Sequence, residues 1–399
     1  MTSLSLWRAF ACQRDMKRLS WLGLLLLTAC PQVRSPADAG CATGLTDCGF
    51  GCVAASFCQP SCIDCDYGDS CGGVRTSLQT DPANCGMCGR QCTQGECRKG
   101  ICAPTVLVGC SGPGRARAVN FAESASLGGP VLDFDVTTLA QLSGNVVLAD
   151  DVRQELVVQS TRLPIGVGPT YLLTFGTSLY VVSGDAGELR TFQLGSGLDG
   201  GVLDLVSTTA LGTTAGPFAQ LSHSLWISGV SDGGAREVLQ VDLADLSSVA
   251  ASVSLPAHDG GTLPASMTQA RGGVFLTFAD EEGWLVLLET VAGSPRSRLI
   301  ELGPTCHQPQ SVGDFDGALA VSCSDRVVFL NDADQVVRTW TSAGVQHPGT
   351  LLTLGERLVV GDRINGRLDV IQVGDAGPEL AFPTLRPCDT AVTALLPGP

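Results

Sequence analysis

Lysine is almost missing from this chain: Lys17 and Lys99 stand against 22 arginines. That bias is compositional and carries no functional content. Positive charge is also scarce overall, and the formal net charge is −15. No basic stripe offsets it, so a phosphate backbone would be repelled and nucleic-acid binding is excluded. Aromatic residues make up only 5% of the sequence, while hydrophobic residues reach 44% and glycines number 49. Such a balance argues against one large enzyme core and for many short strands joined by tight turns. Only 4 histidines occur. No nucleophile elbow, phosphate-binding glycine loop or zinc-protease helix is present. No cofactor or metal is therefore expected.

The first thing present is an export pattern. Met16-Lys17-Arg18 forms a short cationic segment, followed by the apolar run Leu19–Leu27. That run is too short to span a bilayer, which takes about 20 apolar residues, but it suits the core of a signal peptide. Met16 reads as the true start. The run ends in Leu27-Thr28-Ala29-Cys30, which resembles the lipobox of bacterial lipoproteins. The resemblance implies a lipid on the Cys30 thiol and cleavage before it, giving a signal region at 1–29 and a tether at 30–40. Small side chains admit the peptidase, and the thiol is the nucleophile that takes the lipid. Pro31 in place of aspartate points to the outer rather than the inner membrane. The chain is expected in the bacterial cell envelope, bound to a membrane through its lipid.

Cysteine is abundant in one place. Of 18 cysteines, twelve fall within 41–102. In an exported chain this density signals a disulfide framework that substitutes for an apolar core. Zinc is the competing reading, because Cys62-x2-Cys65 and Cys85-x2-Cys88 have ligand spacing, but no histidine lies in the segment. The run Asp81-Pro82-Ala83-Asn84-Cys85-Gly86-Met87-Cys88-Gly89-Arg90-Gln91-Cys92 resembles the Stig1-like cysteine-rich repeats of plant secreted proteins and of myxobacterial lipoproteins. The resemblance implies a small cross-linked module over 41–104 and brings no activity with it.

The remaining residues, 105–399, carry an internal period. Prolines open apolar segments at Pro130, Pro169, Pro217, Pro264, Pro309 and Pro348, spaced by 39, 48, 47, 45 and 39 residues. A second apolar strand follows each, as at Asn145–Asp150 and Arg357–Asp362, then a third, as at Glu188–Leu194. A period of about 40–50 residues with four short strands is the signature of a propeller blade. Six units are visible. A seventh is expected to be assembled from both ends, with Cys388–Val392 matching Cys306–Gln310, Ala391 replacing the blade proline, and Val106–Ser111 matching Leu319–Ser324. This alignment predicts disulfides Cys306–Cys323 and Cys110–Cys388. The pattern resembles YVTN-type seven-bladed β-propellers, and the fold class expected is all-β.

Little in the sequence points to chemistry. An aspartate closes six second strands: Asp150, Asp185, Asp232, Asp280, Asp325 and Asp362. A ring of carboxylates around a cation is one reading, and a turn residue bonding local amides is the stronger one. Asn331-Asp332-Ala333-Asp334 reads as a hairpin turn and lacks the glycine and glutamate of a calcium loop. His307, Gln308 and His347 precede blade prolines on one rim, and with Asp389 they form the candidate ligand site. The expected role is a non-catalytic binding or scaffold platform for an envelope protein, peptide or glycan. The alternatives are a lactonase-like or quinoprotein-like enzyme using the central channel, and a structural or adhesive envelope component.

Overall fold

The computed structural model describes residues 105–397 apart from short loop stretches, much of 69–103, and the strands Leu45–Asp47 and Cys52–Ala54. The signal region, the tether and Cys30 lie outside the described residues. Two compact units divide at Tyr67/Gly68, within the cysteine-rich segment rather than at its expected end near 104. In the first unit the strands Leu45–Asp47 and Cys52–Ala54 pair as an antiparallel hairpin.

From residue 105 onward the chain forms seven antiparallel four-stranded sheets. Their innermost strands are Thr138–Leu142, Thr170–Phe175, Thr214–Leu221, Ser266–Ala270, Ser311–Phe315, Pro348–Leu354 and Val392–Pro397, here numbered blades 1 to 7. Each inner strand contacts the next, and Val392–Pro397 contacts Thr138–Leu142, so the ring closes. Blade 7 is built from both ends: Val392–Pro397 pairs with Thr105–Cys110, which pairs in turn with Arg115–Asn120. This is a seven-bladed β-propeller. Among the described residues the only helix is a single turn, Gly303–Thr305.

Burial explains why these segments become strands of this architecture. Second strands are largely apolar and buried on both faces, as in Ser224–Val230 and Ala318–Ser322, because each blade is covered by its two neighbours. Outermost strands alternate between half-buried and exposed, as in Thr161–Pro164 and Ala251–Ser254. No single core exists. Seven apolar clusters each sit between two adjacent blades: Trp226 of blade 3 packs with Leu276 and Trp284 of blade 4, and Phe329 of blade 5 with Val360 of blade 6. Aliphatic side chains suffice for such thin layers, which is why so few aromatics are needed.

The period holds with two adjustments. Pro130 lies outside the described residues, and the first inner strand begins at Thr138, entered through the buried Val136 rather than a proline. The second concerns the aspartates. Counted from the first residue of each second strand, Asp150 and Asp362 share one position with Ser183 and Cys323, whereas Asp185 and Asp325 lie two residues further along. Asp150, Asp185, Asp325 and Asp362 therefore do not form one ring, and Asp280 lies outside the described residues.

Hydroxyl groups stitch neighbouring blades together around the channel. Thr138 Oγ1 donates to Thr170 O at 3.1 Å, Thr277 Oγ1 to Gln310 O at 3.0 Å, Ser322 Oγ to Gly349 O at 2.6 Å and Thr393 Oγ1 to Val136 O at 2.6 Å. Each satisfies a buried carbonyl across a blade boundary.

Two disulfides occupy equivalent places. Cys306, in the loop entering blade 5, bonds Cys323 at the end of its second strand, with Cα atoms 5.2 Å apart. Cys388, in the loop entering blade 7, bonds Cys110 in the same manner, with Cα atoms 5.5 Å apart. The latter ties residues 278 apart in sequence. Gly366, at φ +66°, lies beneath this closing loop, and any Cβ there would overlap the carbonyl oxygens of Cys388 and Thr390.

In the cysteine-rich segment Cys71 bonds Cys88, and Cys85 bonds Cys97. The sulfurs of Cys85, Cys92 and Cys97 lie within 4.8 Å of one another, close enough to suggest a metal site. All three are disulfide-bonded, so none offers a thiolate, and the zinc reading of Cys85-x2-Cys88 fails. Cys62 and Cys65 lie outside the described residues.

Candidate functional site

A cavity of about 420 Å³ opens where the seven inner strands begin, at one mouth of the central channel. Every blade contributes to its wall, through Thr137 and Thr138, Tyr171 and Leu172, Pro217 and Phe218, Ala265 to Met267, Gln310 and Ser311, Gly349 and Thr350, and Val392 and Thr393. The radial topology makes this inevitable, since the first residues of equivalent strands converge on the axis. Its size falls in the range of about 300–1,000 Å³ usual for small-molecule sites.

Among the described residues one cation lines the cavity, Arg363. It follows Asp362 at the turn after the second strand of blade 6. The Asp362 carboxylate is buried and accepts from the backbone N–H groups of Gln346, His347, Ile364 and Asn365, at 2.8–3.3 Å. Burial pushes its pKa up, but those amide donors outweigh burial and hold it below the ordinary carboxylate value. Asp362 thus fixes the turn that presents Arg363. Arg363 Nη2 donates to Gln308 Oε1 at 3.3 Å, while its Nε is buried and lacks a hydrogen-bond partner. Thr350 Oγ1, also in the wall, is likewise buried and unpartnered.

The same turn in blade 1 carries the opposite charge. Asp150 is buried and accepts from Arg153 N at 3.0 Å, and the next residue, Asp151, takes the place that Arg363 has in blade 6. Asp151 Oδ1 accepts from Thr170 N at 2.9 Å. Burial raises its pKa, assisted by the neighbouring Asp150 charge and opposed by hydrogen bonds from Thr170 and Thr137. Beside it, Tyr171 is pushed up to about 12, first by burial and then by the Asp151 and Asp185 charges. The phenol is therefore protonated at neutral pH and serves as a neutral hydrogen-bonding group.

The residues expected at the rim divide. Gln308 reaches the cavity wall through Arg363. His307 and His347 hold equivalent places, and their carbonyls accept from Ser324 N and Arg363 N. Pro169 and Ala391 make the same bond in blades 2 and 7, accepting from Gly184 N and Ser111 N. Neither histidine lines the cavity, and Asp389 is exposed outside it. Arg363, Tyr171 and Thr350 were not foreseen. The signal available was positional: Arg363 directly follows Asp362, the aspartate that ends the second strand of blade 6. Asn331 forms a hairpin turn, its Oδ1 accepting from Ala333 N and Gln335 N at 3.0 Å.

Among the described lining residues no histidine, carboxylate or thiol occurs, and Arg363 and Tyr171 are the only ionisable side chains. The wall can orient and hydrogen-bond a ligand. It offers no group able to take a proton near neutral pH.

No family model matches the chain, and no curated protein matches it. Solved structures do. A protein from Lactobacillus plantarum superposes with a TM-score of 0.56 at 12% identity, over 73% of this chain and 98% of that one. A candidate 6-phosphogluconolactonase from Bacteroides fragilis gives 0.53 at 13% identity, over 74% and 97%. The apo form of AztD from Citrobacter koseri gives 0.51 at 8% identity, over 74% and 98%. At such identities the likeness is one of fold.

Proposed function

We propose that this chain is a non-catalytic cell-envelope lipoprotein, anchored through Cys30, whose propeller holds a small polar ligand at the channel mouth. The observation that carries the binding role is the 420 Å³ cavity walled by all seven blades, whose described lining residues offer hydroxyls, amides and one guanidinium and no general base. The disulfides Cys71–Cys88, Cys85–Cys97, Cys110–Cys388 and Cys306–Cys323 favour an oxidising compartment outside the cytoplasm. The Leu27–Cys30 lipobox supports the anchor.

A lactonase-like enzyme is the second reading, favoured by the shared fold with the Bacteroides fragilis protein. Fold alone does not carry activity, and the described lining residues include no histidine, carboxylate or thiol that could act as a general base. One experiment separates the two. The full chain, made in an exporting host, is incubated with a panel of sugar lactones while hydrolysis is followed. The binding reading expects rates at the buffer background; turnover that Tyr171→Phe or Arg363→Gln abolishes would establish the enzyme instead.

A further inference from the structure

We propose that the channel mouth selects a hydroxylated monocarboxylate, the chemistry of a simple sugar acid, with Arg363 as the group that recognises its carboxylate. This inference rests on the binding reading above and sharpens it.

Charge decides the ligand class. Among the described lining residues Arg363 is the single cation; its Nη2 donates to Gln308 Oε1 at 3.3 Å and its Nε has no acceptor. A guanidinium with incompletely met donors at a cavity wall favours an anion as its partner. Guanidinium and carboxylate match as planar forks and can form two parallel hydrogen bonds. A single guanidinium balances a single negative charge. A phosphate monoester would leave its second charge uncompensated in a partly desolvated cavity of a chain already at −15.

The rest of the wall suits the body of such a ligand. Thr138 and Thr393 give their protons to backbone carbonyls, so they face a ligand as acceptors for its hydroxyls. The faces of Tyr171 and Phe218 supply apolar surface for the C–H side of a ring. A neutral sugar would leave the Arg363 donor unmet, and an apolar acid would leave the hydroxyls unmet.

The test is calorimetric titration of the full chain with glucuronate, glucose and glucose 6-phosphate, paired with NMR shift mapping of the wall residues. The expected result is glucuronate binding that outcompetes both others and weakens at least about tenfold in Arg363→Gln. Arg363→Lys should recover part of the loss, since charge remains and the fork is gone. Arg298→Gln, on the outer surface, is the control and should leave binding unchanged. If glucose binds as well as glucuronate and Arg363→Gln has no effect, the anion assignment is overturned while the ligand site stands. Tighter binding of glucose 6-phosphate overturns the monocarboxylate class alone. If no probe shifts the wall residues, the sugar-acid inference fails. The binding reading fails with it only if small-molecule extracts of the envelope leave the wall unshifted too.

Discussion

The segment 69–103 and the ring 105–397 solve the same problem by different means. Both are built from short antiparallel strands, and neither has a central core. In the first, the three-residue strands Asp69–Cys71, Val74–Thr76, Glu96–Arg98 and Ile101–Ala103 are held by disulfides, and Cys85 and Cys97 are its buried apolar residues. In the second, seven blades bury their strands against each other, and covalent links appear at only two of them. A single hairpin cannot bury enough surface to stand alone, whereas a blade between two others can. Cross-links substitute for neighbours. Five of the seven blades carry no sulfur link; one disulfide sits in blade 5, and the other secures the join at blade 7, where the chain ends meet.

That contrast can be broken by reduction, with the largest effect expected in the cysteine-rich segment. Under mild reductant, amide protection of Glu96–Arg98 should vanish while Leu225–Ile227 of blade 3 stays protected. Hydrogen exchange by mass spectrometry reads both at once. Equal loss in the two regions would mean that the propeller also depends on its sulfur links.

Within the ring, the two disulfides should differ. Replacing Cys110 and Cys388 by serine removes a link across 278 residues, worth about 5–6 kcal/mol as an upper figure from chain entropy. The same change at Cys306 and Cys323 frees a 17-residue loop, worth about 3 kcal/mol. Denaturant unfolding should rank the first pair as the more damaging. Trp226→Ala, which empties the interface between blades 3 and 4, should cost about 3–5 kcal/mol without touching any disulfide.

The smallest effect concerns Asp362. Its folded pKa is depressed, so its carboxylate stabilises the fold above the ordinary carboxylate range. That contribution disappears as pH falls through the lowered value. Asp362→Asn should destabilise by about 1–3 kcal/mol at pH 7. The gap between variant and parent should narrow below about pH 4. A gap independent of pH would show that shape rather than charge holds the turn.

The sequence displayed the ring more clearly than the site, for physical reasons. Second and third strands are legible because both faces are buried, so runs such as Leu225-Trp226-Ile227 and Val327–Leu330 are apolar throughout. Fourth strands are blurred because they face solvent and alternate, as in Val336–Trp340. The first inner strand was sought at Pro130 because other blades open near a proline; Thr138–Leu142 has none before it. Ring closure was legible from the cysteines, since Cys388 and Cys110 repeat the setting of Cys306 and Cys323. His307 and His347 are legible because they precede blade prolines at equivalent places, and there their carbonyls accept from Ser324 N and Arg363 N. Arg363 was hidden among many arginines. Its importance comes from a turn fixed by a buried aspartate, which spacing alone does not reveal.

Everything said about the channel depends on the ends of the ring meeting. Non-reducing proteolysis with mass spectrometry of the linked peptides tests this directly. The account predicts one peptide pair joined through Cys110 and Cys388 and another through Cys306 and Cys323. Cys388 recovered as a free thiol, or joined to a cysteine of the 69–103 segment, would contradict it.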